Sequence, residues 1–322
     1  MQSHFDVNAK AFEESEGQEG FFVFKDDVNL FKRVVNKKDT ESNGEYRVYC
    51  TQQSKGGTKL HNQLVACLPA SKRLFLVGGS EKKNGEDPSK QCFELVRKQN
   101  AFVEEPACPL RSARVSFGVC VSESEGKKDG RIFIAGGSDG EPRSIKECDM
   151  YSVEEDKWNP LPDLNEARMS VSLVKTSDDQ LFAVGGSAVK GTDCKELASI
   201  ERLDLKKPAP ERKWEVLNVS LSEGVASAGC FELRPSEKEA RALLVLGGFR
   251  KGDFVKEVSR IVFKDNSQFA IEKGEELHEK DTFLMNGAEV HNAKDGEVYV
   301  NGKEYVHLYL LLTKKFAVKR FI

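Results

Sequence analysis

Four short apolar runs in this chain end in a glycine pair: LFLVGG at residues 74–79, IFIAGG at 132–137, LFAVGG at 181–186 and LLVLGG at 243–248. Their closing glycines, Gly79, Gly137, Gly186 and Gly248, are spaced by a mean of about 56 residues. Runs of β-branched, aliphatic and aromatic residues bounded by turn residues read as strands. A strand that stops on Gly-Gly can turn with positive φ and admit a neighbouring backbone, which a residue with a Cβ does only at a cost. A fixed period of this length means an array whose units bury their faces against copies of themselves. A degenerate fifth run, EVYVNG at 297–302, ends 54 residues after Gly248, with Asn301, which tolerates the left-handed region, in the first glycine's place. One interval back from Gly79 lies FFVFK at 21–25, where Asp26 and Asp27 replace the glycines. Six units of about 54 residues follow.

The fullest unit spans residues 131–174. After Gly136-Gly137 come a polar loop, Tyr151, then Trp158, Leu161-Pro162 and Arg168. Tyr151 and Trp158 offer large rigid apolar area with one polar handle each, which suits a seam between two sheets. Pro160 and Pro162 end further pairing of the last strand. This set, Gly-Gly, Tyr, Trp, Leu-Pro and Arg, resembles the kelch repeat, and the chain from about residue 20 onward resembles the kelch-repeat β-propeller family. The other five units keep parts of the motif. The resemblance implies an all-β fold, a six-bladed kelch β-propeller of four-stranded antiparallel blades around a channel, with each blade's first strand innermost. Residues 21–322 are expected to form the propeller. Residues 1–20 are expected to be an N-terminal arm or a lead-in strand at 4–7 that supplies the first blade's missing innermost strand.

Composition fits such a fold and narrows its partners. A net charge of −3, with both signs interspersed along the chain, gives no basic stripe for nucleic acid. No apolar run approaches the roughly 18 residues that would cross a bilayer, and no signal-like opening is present, so membrane insertion is not expected and the expected setting is cytoplasmic. Eight cysteines occur without a CxxC or paired short spacing and read as small buried hydrophobes. Five histidines form no HxH or HExxH, and no GxSxG, P-loop or GxGxxG is present. No metal, no cofactor and no catalytic residue is expected. Arg114 and Arg168 each follow an alanine just before an innermost strand and read as structural, each guanidinium bonding carbonyls of a neighbouring blade, with contact to an acidic ligand as the alternative.

Binding residues sit on loops held by a rigid scaffold. In kelch domains that bind peptides, the residue after Gly-Gly and the turn before the next innermost strand open onto one face. Here these are Ser80, Ser138, Ser187 and Phe249 after the glycines, with Arg111, Ser116 and Ser170 near the strand starts, and Asp139 and Arg250 extending the rim. Hydroxyls, an aromatic and charges of both signs suit a short acidic or polar peptide, with Phe249 as its expected anchor. The expected function is a non-catalytic scaffold for a protein or peptide partner, within a cytoskeletal or ubiquitin-ligase-type assembly. In the latter case a separate chain is expected to recruit the ligase. A sugar-mutarotase-like enzyme with its site in the channel is the alternative.

Overall fold

The computed structural model describes residues 19–24, 27–34, 45–53, 290–292, 297–301, 306–310 and 315–319 as strands. It describes residues 60–276 with their side chains, apart from short connecting stretches and a few strand positions. Six antiparallel sheets follow one another along the chain, as the six repeats predict. Blade 1 has three described strands, Glu19–Phe24, Asp27–Val34 and Glu45–Gln53. The lead-in strand expected at 4–7 lies outside the described residues. Blades 2, 3 and 6 are four-stranded meanders, and in blades 4 and 5 a two-stranded ribbon is inserted between the second and third strands.

The fullest repeat is blade 3: Gly118–Ser122, Arg131–Ala135, Cys148–Ser152 and Lys157–Leu161. Its second strand alternates nothing: Ile132, Phe133, Ile134 and Ala135 are all buried, because a blade packs on both faces. Tyr151 pairs with Trp158 across the outer two strands, their rings 5.1 Å apart, and the Tyr151 ring meets Phe75 of blade 2 edge-on at 5.6 Å. This is the inter-blade seam the aromatics imply. Blade 4 repeats it with Trp214, whose indole donates to the Pro162 carbonyl just as Trp158 donates to that of Cys108. In blade 5 the register position of Trp158 falls to Ile271, and Phe269, two residues earlier on the same face, fills the seam against Phe182 at 5.8 Å.

The first strands of blades 2 to 5, Leu64–Leu68, Gly118–Ser122, Ser172–Lys175 and Gly229–Leu233, lie side by side. At their starts the backbone links blade to blade: Ser170 donates its N–H to the Ser116 carbonyl at 2.6 Å and Ser227 to that of Ser170 at 2.8 Å. All three serines have φ between 52° and 54°.

The outer strands show how sheet edges are managed. Pro106 and Pro160 stand opposite Phe93 and Asp149, and blade 5 places Lys273 at the same register position, opposite Ser259. Proline and lysine both discourage a further strand. Blade 4 has Val216 there, 57% exposed, and its ladder then breaks into a bulge before Ser220. The bulge twists the edge away and replaces the proline.

Candidate functional site

One face of the propeller, the upper face, gathers the glycine turns and the starts of the innermost strands. Gly136 and Gly137 have φ of 65° and 109°. A Cβ on Gly136 would lie 2.2 Å from the Arg168 carbonyl oxygen, and one on Gly137 would lie 2.6 Å from that of Val115. These are the close backbone approaches the glycine pairs predict. The residue after each pair is then stitched to the residue three before the first strand of its own blade: Ser138 to Val115, Ser187 to Met169 and Phe249 to Ala226, each by two backbone hydrogen bonds of 2.7–3.0 Å.

That stitching determines where the expected binding residues lie. Ser80, Ser138 and Ser187 are buried. The Ser80 hydroxyl donates to the Glu86 carbonyl and that of Ser138 to the Glu141 carbonyl, so both are committed to their own loops. Asp139 is partly exposed and pairs with Arg143 at 2.6 Å, which holds its carboxyl below the usual range. Ser116 and Ser170 are partly exposed, and their hydroxyls make no hydrogen bond among the described residues. Ser227 stands at the equivalent place in blade 5; its φ of 53° is shared by all three but is not signalled by the residue type. Arg111 is half exposed and donates to Asp149. Arg250 lies between Glu223 at 3.0 Å and Glu257 at 3.8 Å.

Phe249 is only partly exposed. It opens a ribbon, Phe249–Arg250 with Asp253–Phe254, whose tip Lys251-Gly252 has positive φ at both residues. Its ring meets that of Phe254 edge-on at 6.0 Å, and Phe254 is 50% exposed. The more exposed aromatic of the pair is therefore one the sequence reading passed over, although a Lys-Gly-Asp hairpin tip is a legible signal for it. A cleft of about 400 Å³ lies beside it, lined by Glu223, Arg250, Asp253, Phe254 and Glu257 among others. Blade 4 carries a similar ribbon, Ser187–Lys190 with Asp193–Glu196, tied to blade 3 where Ser144 donates its N–H to Val189 at 3.0 Å and Gly191 to Pro142 at 2.7 Å.

The two repeat arginines are buried. Arg168 donates to the carbonyls of Gly185 and Ser199 and to the Glu201 carboxylate at 2.7 Å. Burial lowers its affinity for the proton and the adjacent Glu201 and Glu166 oppose that. Arg114 donates to the Glu147 carbonyl and to Asp149 at 2.8 Å. Carbonyl contacts are the structural role expected, but they fall within the blade whose first strand each arginine precedes, blade 3 for Arg114 and blade 4 for Arg168, and not on a neighbouring blade; the carboxylates are an addition. Asp149 and Glu201 are fully buried and occupy one register position, opposite Ile134 and Ala183. At the matched positions blade 2 has Leu60 and Phe93 and blade 5 has Val225 and Ser259. Arginine and acid are thus kept or lost together, because either one alone would be an unpaired buried charge.

The opposite end of the innermost strands is also closed by ion pairs. Arg241 donates to both Asp178 and Glu232, Ser177 donates its N–H to Glu232 at 2.7 Å, and Lys175 meets Asp179 at 2.7 Å. The Arg241 guanidinium holds the Asp178 carboxyl down at about 2. On the innermost strands, burial pushes the Cys120 thiol well up and that of Cys230 to about 12, which disfavours the thiolate at both. Among the described residues no group of three or more metal-ligating side chains comes together. No helix among them is long and apolar enough to cross a membrane.

Residues 128–165 match the family model described as Kelch motif. Kelch-like protein 40 of Mus musculus is 30% identical over 143 residues, 44% of this chain and 21% of that protein. The F-box/kelch-repeat protein SKIP20 of Arabidopsis thaliana is 35% identical over 76 residues, 24% of this chain and 17% of that protein. The chain thus spans about a fifth of the length of these curated relatives. The solved structure of YjhT superposes with a TM-score of 0.62 at 12% identity, covering 94% of this chain and 97% of that one.

Proposed function

We propose, from the premise that this chain is a kelch-repeat protein, that it is a non-catalytic interaction scaffold whose upper face takes a protein or peptide partner. The observation that supports this most is the construction of that face. Backbone pairs between glycine turns and strand starts hold its loops rigid, and on that frame stand Phe254, Arg111 and the hydroxyls of Ser116 and Ser170, which have no hydrogen-bond partner among the described residues. A rigid frame lowers the ordering cost of binding, and an exposed aromatic on it is a natural anchor. The channel end offers less for catalysis, since Lys175 is spent on Asp179, and Arg241 on Asp178 and Glu232. The assembly served is of the cytoskeletal or ubiquitin-ligase type, the latter suggested by the name of the F-box/kelch relative.

The test is affinity capture with quantitative mass spectrometry, comparing the natural chain with Phe254→Ala combined with Lys251→Ala. Neither side chain belongs to the core, so the melt is expected to be unchanged while specific partners fall by tenfold or more, corresponding to about 1.4 kcal/mol. Undiminished partners with both variant side chains in place would overturn the assignment. Turnover of a sugar anomer by the purified chain would instead favour the mutarotase-like reading.

A further inference from the structure

We infer that the blade-3 corner of the upper face, formed by Arg111 over the buried Asp149 and Arg114, is a binding site for an oxyanion, a carboxylate or phosphoryl group on the partner. This rests on the scaffold reading and specifies the chemistry that one part of the face selects.

The argument is one of charge balance. Asp149 is fully buried and accepts from two guanidinium groups, Arg111 Nη1 on Oδ1 at 2.6 Å and Arg114 Nη2 on Oδ2 at 2.8 Å. One carboxylate cannot neutralise two cations, so the corner keeps a positive charge. At the place three residues before the repeat arginine, where blade 3 has Arg111, blade 4 has Asn165. Its side chain and backbone N–H donate to Glu201 at 2.9 and 2.7 Å without adding charge. Blades 2 and 5 lack both the arginine and the acid, as Leu60 with Phe93 and Val225 with Ser259 show. Among these four blades the fold is built without the surplus cation three times, so packing does not require it.

The surplus is also presented outward. Arg111 is 50% exposed, and the hydrogen bond to Asp149 is the one its guanidinium makes among the described residues. A guanidinium has five N–H donors in a fixed fork, which leaves an edge free for two oxygens of a ligand. Asp149 fixes the orientation of that edge from below. Arg114 Nε is buried without an acceptor, a second donor at this corner left unsatisfied. The exposed Lys90 donates to the Arg111 carbonyl at 3.0 Å and brings a further ammonium alongside.

The site is tested on the full chain labelled with ¹⁵N-arginine, following the side-chain Nε–Hε signals at constant ionic strength. Acetyl-triglutamate amide and acetyl-phosphoserine amide serve as probes, and Arg111→Asn assigns the Arg111 signal. A saturable shift of that signal is the expected result, and calorimetric titration with the same probes, which needs no Arg111 signal, should show binding at least tenfold weaker in Arg111→Asn with an unchanged melt. Arg111→Lys keeps the ion pair to Asp149, and a partial loss there reads out the fork itself. The tighter of the two probes names the source, carboxylate or phosphoryl. Absence of a saturable shift with either probe, or equal titration in Arg111→Asn, would overturn the site. Such a failure leaves the scaffold reading standing, because that reading is tested separately at Phe254 and Lys251.

Discussion

Arg168 shows how much of this fold is decided by single side chains. Its guanidinium is fully buried and tied to Glu201 at 2.7 Å, and removing one member alone leaves a charge without a partner in a packed interior. Arg168→Val is therefore expected to cost about 3–5 kcal/mol, whereas Arg168→Val together with Glu201→Ser, the blade-5 combination, should recover most of that in a thermal melt. A double variant as unstable as the single one would mean that the pair's geometry, not its charge balance, is what matters. Gly137→Val should likewise lose more than the roughly 1 kcal/mol of an ordinary substitution. Its Cβ would meet the Val115 carbonyl oxygen at 2.6 Å with φ at 109°, and an unchanged melting temperature would refute that constraint. The glycines and Trp158 were legible because the repeat states their geometry directly. The acids Asp149 and Glu201 were not, since nothing local distinguishes a carboxylate facing solvent from one facing an arginine more than thirty residues away.

At the level of elements, the turns and ribbons carry what the repeat leaves free. The turn after the innermost strand of blade 4 is clasped to blade 5 by Arg241, which bridges Asp178 and Glu232. Asp178 has its folded pKa depressed to about 2, so its stabilisation is fully present above the ordinary carboxylate range and is lost as pH falls through about 2. Asp178→Asn should lower stability at neutral pH by about 1 kcal/mol, allowing for its partial exposure, and the difference from the natural chain should vanish as pH drops from 4 toward 2. A difference independent of pH over that range would show that the contact is not ionic in effect. Strands were readable from their apolar runs, with boundaries displaced by up to three or four residues, because ladder pairing runs on past the apolar stretch, as at Trp214–Ser220. The two upper-face ribbons were not expected, because Lys190-Gly191 and Lys251-Gly252 sit in stretches where few apolar residues alternate. There the turn residues signal more than periodicity does.

For the whole molecule, the repeat period implies six blades, and the described residues form six blade sheets and two ribbons, with the innermost strands of blades 2 to 5 side by side. The recognition surface was less readable. The residues after the glycines look free in sequence, but Ser138 and Ser187 are buried where each pairs with the start of its own blade's first strand and Ser80 where it bridges Pro88, while Phe254 and Arg111 remain outward. Exposure of a loop residue depends on which stretch of backbone it pairs with, and one sequence does not reveal that. The two faces differ in where lysines fall, which gives a direct test of the central claim that partners dock on the upper one. Lys90, Lys190 and Lys251 lie on the upper face, and Lys157, Lys206 and Lys213 lie on the turns between the outer strands at the opposite face. Amine cross-linking of captured complexes followed by mass spectrometry should join partners to the first group. Cross-links concentrated on the second group would contradict the account.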